Sequence, residues 1–500
     1  MALRKMTTLL YFMEKFNEIN MKKTNDLIQT QSGHHYVYLE QTKTSHLLPT
    51  SCLPYWNGEK MPDDSVASQK VQFFKSLQKE KDGCEFISTY SPLKLEKNLA
   101  NLNHLLIEVT DGCNLACKYC GYGELYGNYD KRINKNNTFE NVKTLIDFLY
   151  QYWQSDYNFS YNKVCYIGFY GGEPLINFRL IKETIDYIEA LHGNKGMQFE
   201  YSMTTNALLL DRYMDYLAEK KFHLLISLDG NQFNDSYRVG RDGTESFNRV
   251  TKNIHSLKSC YPNYFSEYVN FNAVLHNRNS VKEIITYIKT EFDKIPTIAS
   301  LSLNGIRKDK QDEFMAMFRN RTESMEEARH CEETRDWLEK SPEVSVANYF
   351  INSFCEQTYR KYANLFAYEK DKKYIPTGTC TPLKRKLFLT VNGKLLACER
   401  IGHKHTLGNV CNGKVNIDFE KISLFYGQLF NKIIHLCKSC AMRKGCGMCI
   451  YHQETLEEEK IRCMGYVPMS QYTALISNYL SYFEQEREHY NKIMNDTIII

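Results

Sequence analysis

The sequence predicts an α/β protein: a partial barrel of six parallel strands, a cysteine-rich C-terminal domain, and a small N-terminal α+β extension. Three observations predict it. Between residues 104 and 310, short apolar runs alternate with helical patterns, the order that builds a parallel sheet with right-handed crossovers. Three cysteines fall within eight residues just after the first of those runs. A second crowd of eight cysteines lies between residues 380 and 463.

Composition narrows the class. The 500 residues suffice for two or three domains, and an apolar content of 43% supports proper cores. A net charge of +4, with Lys and Arg interleaved among Asp and Glu, gives no basic block and so no expected nucleic-acid partner. No apolar run approaches the ~20 residues of a membrane span. The seventeen cysteines are clustered, and no signal peptide precedes them. They read as metal sites in a reduced, cytoplasmic protein rather than as a disulfide framework.

In chain order, residues 1–23 read as an amphipathic helix through Leu9, Leu10, Phe12, Met13 and Phe16, and Met21 offers a second start. The N-terminal extension (1–100) carries a strand at 35–41 and a helix at 65–79, with Pro49 and Pro54 breaking the stretch between. It reads either as a leader-peptide recognition region or as a packing extension of the next domain. Strands are expected at 104–110, 164–170, 198–205, 223–228, 268–275 and 299–303. Helices are expected near 138–153, 178–192, 210–221, 245–258 and 280–292. Eight such units would close a full barrel, whereas six, within 101–310, leave it open. A helical connector (311–378), the cysteine-rich domain (379–470) and a C-terminal helix (471–500) follow. That last helix has Leu475, Tyr479, Leu480 and Phe483 on its apolar stripe.

The first motif is Cys113-x3-Cys117-x2-Cys120, on a loop at a strand's carboxyl end, where α/β barrels place their chemistry. Thiolates suit soft metals. Zinc normally pairs C-x2-C with a second close pair. Three local thiolates without a fourth leave one iron of a 4Fe–4S cluster open to an outside ligand. With Tyr119 before the last cysteine, the loop resembles the cluster loop of the radical S-adenosylmethionine (SAM) enzymes. That resemblance implies that the open iron binds the amino and carboxylate groups of SAM. Reduction then yields a 5′-deoxyadenosyl radical that abstracts a substrate hydrogen. Buried or zinc-binding cysteines are the plain alternative.

The second strand runs into Gly171-Gly172-Glu173-Pro174. Two glycines allow close backbone approach, and the carboxylate can accept from an ammonium. By resemblance, Gly171, Gly172 and Glu173 bind SAM. The third strand ends in Thr204-Thr205-Asn206, which resembles a T-N-G segment with Ala207 at the glycine; a helix N-cap is the other reading. The fourth ends in Ser227-Leu228-Asp229-Gly230, with Arg238 beyond it, resembling a stretch of peptide-modifying members that also implies SAM contacts. Arg238 reads equally as a carboxylate partner of SAM or substrate and as a surface salt bridge.

In the second field, Lys386 to Ala397 reads as a hairpin on a two-residue Asn392-Gly393 turn that presents Cys398. Then come Cys437-x2-Cys440-x5-Cys446-x2-Cys449 and Cys463. Two zinc ions are physically possible here. The order resembles the SPASM domain, with C-x2-C where the last pair usually has three residues between. That resemblance implies two auxiliary 4Fe–4S clusters. Cys437, Cys440, Cys446 and Cys463 would hold the outer one; Cys380, Cys398 and Cys449 would hold the inner one, with Cys411 or Cys355 or an open iron completing it. Cys52, Cys84, Cys165, Cys260 and Cys331 read as ordinary thiols. Glu399 stands where some sulfatase maturases place an Asp base, and it is the candidate catalytic residue; the plain reading is a hairpin-end carboxylate.

The resemblance spans roughly residues 100–470. It implies an oxygen-sensitive, anaerobic maturase of a ribosomally made peptide with a leader, forming a thioether or carbon–carbon crosslink. An electron donor such as a flavodoxin or ferredoxin would supply it. The alternatives are an anaerobic sulfatase maturase making formylglycine, and a non-catalytic zinc or iron–sulfur scaffold.

Overall fold

The computed structural model describes residues 27–39, 44–79, 85–159, 164–191, 197–329, 331, 334, 373–378, 381–443, 446–453, 456–459 and 461–485. The expected helix at 1–23, Cys84, Cys355, Cys380 and most of the connector lie outside them.

The chemistry-bearing part is built on β4 (His104–Thr110), β5 (Val164–Gly171), β6 (Gln198–Thr205), β7 (His223–Ser227), β8 (Val269–Leu275) and β9 (Thr297–Ser300). All five neighbouring pairs are parallel. Helices follow the strands as expected, at Phe139–Gln154, Phe178–Ala190, Leu210–Glu219, Phe247–Cys260 and Val281–Phe292. Alternate strand residues such as Leu105, Ile107, Ile167, Phe169, Leu224 and Ile226 are buried in one continuous core with those helices. β4 is buried along nearly its whole length, as its unbroken apolar run requires. The sixth strand starts two residues and ends three residues earlier than expected, because its pairing with β8 runs from Thr297 and stops at Ser300. Leu301 instead packs with Tyr119 and Tyr126 beneath the cysteine loop.

The sheet extends beyond β4 through β10 (Leu387–Leu389), β11 (Lys394–Leu396), β12 (Thr406–Cys411) and β13 (Lys414–Ile417), ten strands in all. The expected hairpin is therefore an extension of the main sheet, with β10 parallel to β4. Its turn departs from the two-residue form. Only Gly393 takes a positive φ, +76°, and its N–H donates to the Thr390 carbonyl at 2.9 Å. Asn392 has no positive φ, so this is a longer turn whose Val391 N–H is taken by the buried Glu108 carboxylate at 2.9 Å.

A second, three-stranded antiparallel sheet precedes the first: β1 (Leu27–Gln29), β2 (His35–Leu39) and β3 (Thr44–Leu48), backed by the helix Val66–Lys79. β1 meets the C-terminal helix Met469–Gln485, with the Gln31 N–H donating to Ser481 Oγ at 2.9 Å. Sequence reading missed the helix Phe419–Ser439, although its buried Ile422, Tyr426, Leu429, Phe430, Ile433 and Cys437 repeat at helical spacing.

Candidate active site

The loops after β4, β5, β6 and β7 gather at one end of the sheet, and hydrogen bonds stitch them together. The Gly172 N–H donates to Thr110 O and the Glu173 N–H to Gly112 O, each at 2.9 Å. A Cβ on Gly171, whose φ is +133°, would stand 2.1 Å from Thr110 O, and one on Gly172 would stand 2.0 Å from Gly112 O. The glycines thus permit close approach to the chain's own backbone at the root of the cysteine loop.

Glu173 joins this turn to the end of β6. Its carboxylate accepts from Thr205 Oγ1 at 2.7 Å, the Asn206 N–H at 2.8 Å and the Leu175 N–H at 3.2 Å. Burial pushes its carboxyl pKa up, and those three donors oppose the shift. Asn206 Nδ2 in turn donates to Asn114 Oδ1 at 2.7 Å and faces Cys113 Sγ at 3.7 Å. Thr205 and Asn206 do not cap the following helix, whose N-cap is Leu209. Ala207 takes φ +62° at the position where the T-N-G pattern has glycine. Thr204 and Ser227 are half-buried, Thr204 pairing with Leu225 and Ser227 with Asn272 across the sheet.

A third element clamps the loop. The Ala116 N–H donates to Val239 O at 2.7 Å and the Lys118 N–H to Tyr237 O at 3.0 Å. Arg238, between those acceptors, is buried, which removes the surface salt-bridge reading. It lies 3.6 Å from Asp235 and donates to the Tyr119 hydroxyl at 3.2 Å. Burial raises the Cys113 thiol's pKa and pushes Cys117 up to about 12. Such thiols stay protonated until a metal provides the compensating charge.

The second field forms two places. Cys437, Cys440, Cys446 and Cys463 line one small cavity with Thr377, Arg443 and Gly465. Gly378 (φ +59°) is pressed so close that a Cβ would stand 1.7 Å from Cys446 O. Burial pushes Cys437 up to about 12 and Cys446 up to about 11. Four thiols around one cavity are a soft-metal donor set. Among the described residues, no three Cys, His, Asp or Glu side chains converge as on a single metal ion. Cys398 lies at the other place, its thiol pushed up to about 12 by burial. The segment after Cys449 reaches the same turn, with His452 Nε2 3.0 Å from Arg400 O. Cys411 is exposed at the far end of β12. Asn409 pairs with Lys394, so at 3.3 Å per residue Cys411 stands roughly 20 Å along the sheet from Cys398. It does not complete that site.

Glu399 is more than a hairpin-end carboxylate. Its side chain is only 12% exposed and pairs with Lys386 at 2.8 Å. Oε2 lies 3.3 Å from Cys398 Sγ. Burial works against its charge, but Lys386 prevails and holds its pKa below the usual value. Tyr122, two residues after Cys120, donates its hydroxyl to Glu399 O at 3.1 Å. One aromatic side chain thus spans from the first cysteine loop to Glu399, a contact between distant segments that no local pattern announces.

Residues 107–290 match the model of the radical SAM superfamily. The chain is 33% identical over 159 residues to an uncharacterized protein of Methanocaldococcus jannaschii, covering 32% of this chain and 49% of that one. It is 28% identical over 171 residues to the radical SAM cyclopropyl synthase TigE of Paramaledivibacter caminithermalis, covering 33% and 34%. To a cysteine-type anaerobic sulfatase-maturating enzyme of Clostridium novyi it is 25% identical over 162 residues, covering 32% and 41%. The chain therefore spans less than half the length of these relatives. Among solved structures, anSMEcpe with bound AdoMet and the Cp18Cys peptide aligns at 17% identity and a TM-score of 0.47, covering 79% of this chain and 99% of that one. Streptococcus suis SuiB bound to precursor peptide SuiA aligns at 16% and 0.39, covering 90% and 84%.

Proposed function

This chain carries a radical SAM domain, and from that premise we propose that the protein is a radical SAM peptide maturase with a SPASM-type second cysteine field. The observation that carries the reading is the convergence of the three-cysteine loop, the Gly-Gly-Glu turn and the Thr205–Asn206 segment at one end of a parallel sheet. Cys113, Cys117 and Cys120 would hold a 4Fe–4S cluster; Gly171, Gly172, Glu173, Thr204, Thr205, Asn206, Ser227 and Arg238 would surround SAM. When bound, the pair supplies the hydrogen-abstracting radical. Asn206 fixes the loop beside Cys113, Glu173 orients Thr205 and Asn206, and the Arg238 strap holds the loop's outer side. The cavity of Cys437, Cys440, Cys446 and Cys463 would take the outer auxiliary cluster. Cys398 and Cys449 with Cys380 would take the inner one.

A peptide substrate is supported by the N-terminal sheet. β3 ends that sheet, so its outer edge pairs with no strand among the described residues. Leu47 on that strand is 50% exposed, apolar surface that an extended leader pairing with this edge could cover. Crosslinking remains ahead of formylglycine formation because Glu399 is engaged by Lys386 and would have to release it to act as a base. The test is anaerobic reconstitution followed by reduction with SAM: 5′-deoxyadenosine should form. Absence of SAM cleavage by the iron-loaded protein would sink the reading. A sulfatase-motif peptide converted to formylglycine, seen by mass, would transfer the assignment to the maturase of sulfatases.

A further inference from the structure

We propose that His276 is a positioning residue for the cysteine loop, acting through Asp229 and Tyr119 on the site just described; the inference rests on that reading of the loop. Behind the loop lies a sealed chain of polar groups. Tyr119, between Cys117 and Cys120, donates its hydroxyl to Asp229 Oδ2 and accepts from Arg238 at 3.2 Å. Asp229 Oδ1 accepts the Val274 N–H at 2.8 Å. His276 Nε2 lies 3.6 Å from Asp229 Oδ2, and both side chains are 0% exposed. The imidazole also lies over the Tyr119 ring, centroids 5.5 Å apart and planes 28° off parallel.

The orientation of the imidazole follows from its surroundings. Nδ1 accepts the Arg278 N–H at 3.1 Å, so the ring hydrogen sits on Nε2. Asn279 Nδ2, 3.3 Å away, has both hydrogens committed, to Val274 O at 2.9 Å and Asp229 O at 3.2 Å. Nε2–H is left facing the carboxylate. The turn after β8 is itself pinned to the strap. Tyr237 packs edge-on to His276 at 4.9 Å, its hydroxyl donates to Asn277 Oδ1 at 2.9 Å, and the Arg278 guanidinium covers its ring at 3.9 Å.

The end of β8 therefore reaches the loop by two routes. One runs His276–Asp229–Tyr119 from beneath; the other runs Tyr237 and Val239 to Lys118 and Ala116 from the side. Tyr119 and the Val274 N–H donate to this buried carboxylate, and the Nε2–H dipole faces it at 3.6 Å; without that dipole the carboxylate has reason to shift toward Arg238 and drag Tyr119 with it. Cys117 and Cys120 flank that tyrosine, so their thiols move with it. The His276 side chain, 0% exposed, would act on the loop through Asp229 and Tyr119 rather than by touching SAM or substrate.

The test uses the reconstituted full chain. His276→Phe keeps a ring over Tyr119 and deletes the N–H that faces Asp229. Tyr119→Phe deletes one oxygen. Each should retain the loop's iron but weaken SAM affinity about tenfold and alter the SAM-dependent change in the reduced cluster's EPR signal. The double variant should be no weaker than about tenfold, because both changes break one chain, and His276→Gln should restore binding. Wild-type affinity in His276→Phe, or a double variant weakened about a hundredfold as independent sites predict, overturns the proposal. If His276→Phe unfolds, wild-type SAM affinity and EPR in Tyr119→Phe overturn it equally. Wild-type protein that holds iron but binds no SAM would instead sink the proposed function.

Discussion

The two cysteine fields are held by different means. The loop at 113–120 is fixed by backbone hydrogen bonds to the segment 237–239, by the Gly-Gly-Glu turn bonded at its root, by the Asn206 side chain and by a buried polar chain. The cavity of Cys437, Cys440, Cys446 and Cys463 is closed by side-chain packing around the end of one helix and a turn. Cys440 shares a small apolar cluster with Ile28, Met442, Tyr472 and Ile476, so this field rests on the N-terminal sheet and the C-terminal helix. The first arrangement is a frame of polar bonds between the loop and its neighbours. The second is set between the main core, which takes Cys437 and its helix, and that small cluster, which takes Cys440.

The largest expected effect separates the fields outright. Cys113/Cys117/Cys120→Ala should abolish SAM cleavage and lower the iron by about four per chain, leaving the thermal melt nearly unchanged. Cys437/Cys440/Cys446→Ala should also remove about four irons but lower the melting temperature by several degrees. Equal melts for the two variants would erase the distinction. A smaller contrast comes from two glycines. Gly172→Ala puts a methyl 2.0 Å from Gly112 O and should weaken SAM binding about a hundredfold at unchanged iron in the second field. Gly378→Ala puts one 1.7 Å from Cys446 O and should lower second-field iron while SAM binding persists. Iron counting beside SAM titration reads both.

Much of the frame was legible in sequence because β4 to β9 repeat one unit, and each strand's apolar run is set by burial on its helix-covered face. The end of the sheet that bears the site followed from the same pattern. What was missed depends on contacts between distant segments. Nothing local to the hairpin at 387–396 says that it pairs with β4, or that Glu108 takes its turn's N–H. Asp229 and His276 stand 47 positions apart, and only the fold makes them neighbours. The helix Phe419–Ser439 is a different case: its buried residues repeat at helical spacing, so its pattern is local and present in the sequence.

The finest contrast concerns how the frame tolerates charge. Glu108, on β4, is 2% exposed, and burial raises its carboxyl pKa to about 7 from 4.5, against the pull of Val391 N–H and Arg132. A carboxyl raised on folding binds its proton more tightly in the native state, so stability falls as pH climbs from about 4.5 to about 7 and then levels. At 1.36 kcal/mol per unit, the loss reaches at most about 3 kcal/mol. Glu108→Gln keeps an acceptor for Val391 and cannot ionise. Melting curves should therefore show the wild type losing several degrees relative to Glu108→Gln between pH 5 and 7.5, with the gap constant above that. A gap that widens toward acid would mean that Arg132, 3.4 Å away, outweighs burial and that Glu108 is ionised throughout. The first frame would then be held by an ion pair as much as by its backbone bonds.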